Sequence, residues 1–418
     1  MKIFYGWRIV AAGAVVLAFG LGMFTSTNSV FVIPVSEALN ATRGQFTFYR
    51  TIITLVSACV MPLYGKAVQR FGVRRVLLVG AVMLGAVTIG YSFTTSLWHF
   101  YVLAAVNGLF LTAVSFMVIG VLVNSWFNDK KGLALGFAFS GSGVGGAVMI
   151  PVVSGVIELT DWRFAYRFMG VLGFVILIPA VIFFIKDNPE KVGLAPYTVS
   201  VPEGEKDKKA LTRAMDFTFY GAVRSGRFWL LMVAFLLISA FASATNTHSA
   251  PFLTDLGYPT AYVSAVISLF MVFLTVGKII LGVVYDRYGT MYGNIVLVIC
   301  ILVFPIAALL SHLPAFPWIY AVAVGMSSCG VSVSLTLLLT KHFGQRDFPV
   351  IFSAFTLVST LGPAVSIPAM GAAYDYTGSY QPAWITLLVF SVIITICLLA
   401  SEFALKARQA APNTVKGL

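Results

Sequence analysis

The stretch Phe273 to Gly289, FLTVGKIILGVVYDRYG, sets one ammonium, Lys278, inside an otherwise apolar run. Read as a helix, it puts Lys278 about eight residues, or ~12 Å, from the charged end at Asp286 and Arg287. A lysine stem reaches only about 6 Å, so snorkelling alone does not bring this charge comfortably to an interface. A charge at such depth is costly and marks a substrate or ion path. A fixed cation can hold an anion, and a lysine, unlike an arginine, can also take up and release a proton. The alternatives are a lysine snorkelling to headgroups or one paired with an acid elsewhere in the chain.

Other polar residues fall at similar depth in other apolar runs: Asn28 and Ser29, Ser115 with Phe116, Asn246, Ser332 and Ser359. A few polar groups among aromatics suit a small-molecule pocket; each alone equally suits a hydrogen bond to a neighbouring helix. His248 can move protons, gate, or sit at the interface. Arg50 is one turn into its run, as a headgroup anchor or an anion-attracting vestibule.

The elements that must position these residues are membrane helices. Of 418 residues, 59% are hydrophobic and 10% charged, whereas a soluble domain carries about a quarter charged. The apolar residues form twelve blocks of spanning length, 8–34, 47–68, 75–95, 98–126, 132–158, 164–186, 228–254, 261–285, 292–311, 316–340, 349–373 and 381–403. The expected fold is therefore all-α and polytopic, without the alternation of an outer-membrane barrel. The first run is too long for a cleaved leader and is expected to stay as the first helix.

The net charge of +12 is distributed as an orientation signal rather than a nucleic-acid footprint. With the N-terminus inside, 22 of the 27 basic residues fall in cytosolic segments and four, Arg43, Arg50, Arg163 and Arg167, outside; the remaining one is Lys278. This bias places both termini in the cytosol and adds contact with the lipid surface. The four cysteines are scattered without metal or disulfide spacing, the histidines do not cluster as a catalytic site requires, and no phosphate-binding loop for ATP is present. Neither a cofactor nor an enzymatic activity is expected.

The chain repeats at an offset of 217: Pro34 with Pro251, Gly65 with Gly282, Gly72 with Gly289, Gly108 with Gly325, Pro151 with Pro368. Glycine and proline mark bends and close helix contacts, the features a shared backbone preserves. The offset spans six helices and a long loop, so the repeat is parallel: an N-terminal bundle over 1–186, a cytosolic linker over 187–227 containing PEGEKDKK, a C-terminal bundle over 228–404 and a cytosolic tail over 405–418.

Two six-helix bundles in this relation resemble the major facilitator superfamily. The loop YGKAVQRFGVRR, with Gly65, Gln69, Arg70 and Gly72, resembles that family's conformational loop, although Gln69 stands where an acid is usual. The second copy, LGVVYDRYG, keeps Gly282, Asp286, Arg287 and Gly289. The segment WFNDKKGLALGFAFSGSGVGG resembles the start of helix 5 in monocarboxylate transporters and oxalate–formate antiporters, and GWRIV fits the same group. Its Gly132, Gly136, Ser140 and Gly145 are expected to press that helix on a neighbour.

That resemblance implies that Lys278 stands where relatives carry a helix 8 arginine that holds the substrate carboxylate, facing a central cavity. The second cation of oxalate exchangers falls near the neutral Ser359, which favours a monocarboxylate. The helix 1 lysine of eukaryotic monocarboxylate carriers is absent from FTSTNS, Phe24 to Ser29, and Leu274 replaces their helix 8 acid. The expected function is secondary transport of small organic anions by alternating access with proton symport, by a monomer in a bacterial inner membrane. An oxalate–formate type exchanger and an efflux pump for amphipathic compounds are the alternatives. The pump is disfavoured because the only acid expected deep in a helix is Glu158, near an end.

Overall fold

The computed structural model describes residues 4–41, 43–198 and 217–410. The expected linker stretch PEGEKDKK and the tail beyond residue 410 lie outside the described residues. Among the described residues, eleven helices are long and apolar enough to cross a membrane, and a bent pair supplies a twelfth.

The chain forms two compact units, Met1–Ser200 with Phe352–Leu357, and Val201–Ile351 with Val358–Leu418. The first unit holds α1 (Tyr5–Ser26), α2 (Asn28–Ala38), α3 (Arg43–Phe71), α4 (Val73–Tyr91), α5 (Leu97–Leu111), α6 (Phe116–Trp126), α7 (Lys131–Leu159) and α8 (Trp162–Phe184). The remaining long helices are α9 (Gly226–Asp255), α10 (Thr260–Tyr288), α11 (Thr290–Leu309), α12 (Phe316–Ser328), α13 (Val333–Phe343), α14 (Phe348–Thr377) and α15 (Gln381–Ala410).

The first expected block is not one straight helix. α1 carries a π-turn over Leu17–Gly22 and stops at Thr27. Thr25 and Thr27 donate back to the Leu21 and Met23 carbonyls at 2.7 Å, a bond that competes with the helical ladder and bends it.

The repeat is visible in the contacts inside each unit. α3 packs along α5, and α10 along α12 in the same way. A Cβ on Gly108 would lie 2.6 Å from the Ile53 carbonyl oxygen, and one on Gly325 2.7 Å from that of Phe270. Ile53 and Phe270 are themselves 217 apart. Gly72 and Gly289 both take φ near +85°, at 83° and 86°, where a side chain is disfavoured. Of the expected stripe on α7, Gly132, Gly136 and Gly145 are buried and Gly145 meets the Ala18 carbonyl of α1; at Ser140 the contact passes to Gly141, which meets the Ala14 carbonyl, while Ser140 donates to the Phe137 carbonyl of its own helix at 2.8 Å.

Each unit also breaks one helix at the same place. α5 ends in a 3-10 turn, Ser115 is extended, and α6 begins at Phe116. α12 ends in a 3-10 turn over Cys329–Val331, and α13 begins after Ser332, with a bend of 40°. Beyond these breaks the chain ends dock alike. The Tyr197 amide donates to the Trp126 carbonyl at 2.8 Å, and the Phe217 amide to the Phe343 carbonyl, 217 positions on, at 2.9 Å.

Candidate functional site

Lys278 is buried, 5% exposed, on α10. Its helix is pressed against the break between α12 and α13. The Cys329 thiol donates to the Leu274 carbonyl at 3.4 Å, one turn before Lys278, and a Cβ on Gly277 would lie 2.9 Å from the Cys329 sulfur. Cys329 is within electrostatic reach of the ammonium. The helix that carries the lysine thus lies beside a 3-10 break in the span, where peptide groups are not all consumed by the α-ladder.

The other second-unit candidates are placed as follows. Ser332 is buried at the break and donates to the Cys329 carbonyl at 3.3 Å. Ser359 is buried on α14. Asn246 is exposed on α9, while its neighbour Thr245 is buried and bonded to the Phe241 carbonyl. His248 is held at both ring nitrogens: Nδ1 is 3.3 Å from the Tyr380 hydroxyl and Nε2 3.1 Å from the Ile367 carbonyl. Because a carbonyl only accepts, Nε2 carries the proton and Nδ1 accepts from Tyr380 in the neutral ring.

In the first unit, Asn28 and Arg50 meet at one cavity of about 110 Å³, together with Tyr49, Tyr91, Asn107 and Tyr166. The Tyr49 hydroxyl donates to Asn28 Oδ1 at 2.9 Å. The Ser115 hydroxyl is buried at its break with no partner in hydrogen-bond range, and Phe116 packs edge-on against Phe139 at 5.0 Å. The Ser29 side chain lies outside the described residues.

Two carboxylates that the sequence did not single out lie near the two glycine loops. In the first, Gly65 is buried, while Gln69 and Arg70 are exposed, the latter over the Phe71 ring at 5.4 Å. Asp187, from outside the loop, accepts at Oδ1 from the Arg74 amide at 2.8 Å, in the first turn of α4. A carboxylate there meets the positive end of the helix dipole. In the second, Gly282 is buried and Asp286 and Arg287 are exposed, with Arg287 over the Tyr288 ring at 5.6 Å. Here Glu402 of α15 is fully buried. It accepts from Asn294 Nδ2 at 3.3 Å and stands 3.5 Å from both Lys341 Nζ and His342 Nε2. Lys341 also donates to the Thr290 hydroxyl, and Tyr285 donates to Asn294 Oδ1 at 2.7 Å. Glu158 is exposed, and Glu402 is the buried acid among the described residues.

A sequence profile of the Major Facilitator Superfamily matches residues 13–367. The chain belongs to the major facilitator superfamily. It is an integral membrane transporter of that fold. Among the superfamily relatives it is similar to, Monocarboxylate transporter 12-B of Danio rerio is 26% identical over 429 residues, covering 93% of this chain and 87% of that protein. The Oxalate:formate antiporter of Oxalobacter formigenes is 24% identical over 380 residues, covering 87% and 84%. Among solved superfamily structures, the proton:xylose symporter XylE bound to 6-bromo-6-deoxy-D-glucose superposes with a TM-score of 0.65 at 15% identity, covering 96% of each chain. That likeness is one of fold.

Proposed function

We propose that this superfamily member is a secondary carrier of small organic anions, foremost monocarboxylates of the lactate and pyruvate type, working by alternating access with proton symport. The observation that carries the reading is Lys278, an ammonium buried at 5% exposure deep in a membrane helix and beside a broken span. A buried cation at such a position is costly, and a bound carboxylate offsets that cost. One cation suits one carboxylate, and Ser359 is neutral where a second cation is needed for a dicarboxylate. Similarity to a monocarboxylate transporter supports the substrate class. The basic bias of the loops supports an orientation with both termini, the linker over 187–227 and the two conformational loops in the cytosol of a bacterial cell. Asn28, Ser29, Ser115, Phe116, Asn246, Ser332 and Ser359 are the further substrate candidates. Similarity to an oxalate:formate antiporter favours one second reading, an anion exchanger in which Lys278 stays charged throughout.

Uptake of labelled lactate, pyruvate, formate and oxalate into proteoliposomes, with and without a pH gradient, tests both. Lys278→Ala is expected to weaken anion binding by about 2–5 kcal/mol, roughly 30- to several-thousand-fold, in a folded protein. Unchanged transport by that variant sinks the anchor, and tighter binding of oxalate than of lactate or pyruvate sinks the monocarboxylate preference.

A further inference from the structure

We infer that the first unit carries a carboxylate-binding subsite of its own, formed by Arg50, Tyr91, Tyr166, Asn28 and Asn107, with Lys278 not among its described lining residues; it rests on the organic-anion reading above for its choice of ligand. The cavity these residues line holds about 110 Å³, roughly three to four times the ~30 Å³ share of one water. That is room for a carboxylate with a short carbon chain.

The polar lining is one of donors. Among the described residues Arg50 is its only charged one, and no carboxylate lines it. The hydroxyls of Tyr91 and Tyr166 are buried without a partner in hydrogen-bond geometry, their residues 2% and 4% exposed. Asn107 lies near the Tyr91 hydroxyl and Tyr49 near that of Tyr166, each in a loose polar contact short of full hydrogen-bond geometry. A buried hydroxyl left unpaired costs about 1–3 kcal/mol, so two of them facing one cavity are a standing cost that an acceptor removes. Tyr49 occupies Asn28 Oδ1, which leaves the Asn28 amide N–H groups for another acceptor. The threonines that line the cavity do not compete, since Thr25, Thr54 and Thr88 each donate to a carbonyl of their own helix.

The donors are also held in place. The Tyr166 ring stacks on Phe31 at 4.0 Å and the Tyr91 ring on Phe100 at 5.0 Å. Donors around one guanidinium favour a ligand that accepts several hydrogen bonds and carries negative charge. A carboxylate meets both conditions. A cation is repelled by Arg50, and a neutral sugar gains nothing from its charge. Phe24, Ile53 and Met169 supply the apolar wall for the carbon chain.

The test is equilibrium dialysis of the purified full chain against labelled acetate, lactate and pyruvate. The wild type is expected to bind a second equivalent that survives Lys278→Ala. On that background, Arg50→Gln, or Tyr91→Phe combined with Tyr166→Phe, is expected to weaken the surviving site at least about tenfold, the loss of one or two hydrogen bonds to a charged group. The phenylalanine variants keep both rings, so their melting temperature checks that the fold is intact. A Lys278→Ala protein that binds none of the three probes overturns the subsite, as does one whose binding ignores the tyrosine and arginine substitutions. If Lys278→Ala retains the full wild-type stoichiometry while Arg50→Gln removes one equivalent, the subsite stands and the Lys278 anchor falls.

Discussion

Replacing Gly325 by alanine puts a methyl group 2.7 Å from the Phe270 carbonyl oxygen and 3.0 Å from the Leu274 amide nitrogen. Both are backbone atoms and cannot rotate away. Restoring a contact of about 3.4 Å requires α10 and α12 to part by about 0.7 Å. Overpacking of this kind costs about 1–3 kcal/mol, and the better helix propensity of alanine returns up to about 1 kcal/mol, so a net loss of ~1–2 kcal/mol is expected. Gly108→Ala is the matched perturbation, with its methyl 2.6 Å from the Ile53 carbonyl oxygen, and its stability loss should be similar. The two must differ in function. Leu274 is one turn from Lys278, whereas the position equivalent to Lys278 in the first unit is Met61. Parting α10 from the break displaces the ammonium, so Gly325→Ala should weaken the Lys278-dependent binding about tenfold, while Gly108→Ala leaves it within about twofold. Thermal unfolding reads the first quantity; dialysis against labelled lactate in an Arg50→Gln background, which leaves the proposed Lys278 anchor intact, reads the second. Unchanged melting of both variants refutes the packing argument. Equal loss of lactate binding by both refutes the local coupling between the break and Lys278.

Lys278→Arg should still bind and exchange anions but lose uptake driven by a pH gradient, because a guanidinium cannot release its proton; robust proton-coupled accumulation by that variant excludes Lys278 as the proton carrier. Glu402→Ala should destabilise the second unit by about 3 kcal/mol, since it strips a partner from His342, Lys341 and Asn294 together. Glu402→Gln should cost less, as its amide oxygen still accepts from Asn294, and equal melting of the two variants counts against the network. Asp187→Ala removes the acceptor for the Arg74 amide and should cost about 0.5–2 kcal/mol, read as faster hydrogen exchange over the first turn of α4.

The depth of Lys278 is legible in the sequence because a single charge in a long apolar run has few explanations. The glycine pairs at offset 217 are legible because each requires the same backbone geometry twice. The helix breaks are not: Ser115 and Ser332 read as polar residues in intact spans, since serine is common in unbroken membrane helices. Glu402 lies at the end of its apolar block and reads as an interfacial charge; only the packing of α11 and α13 around it makes it buried. Asp187 is 113 residues from the Arg74 amide it caps, a separation no local pattern reports. Tyr91 and Tyr166 pass for ring packing, which they also provide, and their hydroxyls acquire meaning only when Arg50 and Asn28 are seen at the same cavity.

The contacts at Gly108 and Gly325 are made on one side by main chain and one Cβ, of Val56 and Phe273, and on the other by the lack of a side chain. Such a joint is indifferent to what the surrounding residues are, provided the glycine remains. Ile53 and Phe270 differ in shape, yet the carbonyl each presents sits at nearly the same distance from its glycine. A scaffold seamed in this way tolerates wholesale exchange of its lipid-facing and cargo-facing side chains, and the architecture shared with XylE at 15% identity accords with that tolerance. Cargo preference is then free to drift while the machine that moves it stays the same, and two chains of one architecture need share little beyond their seams.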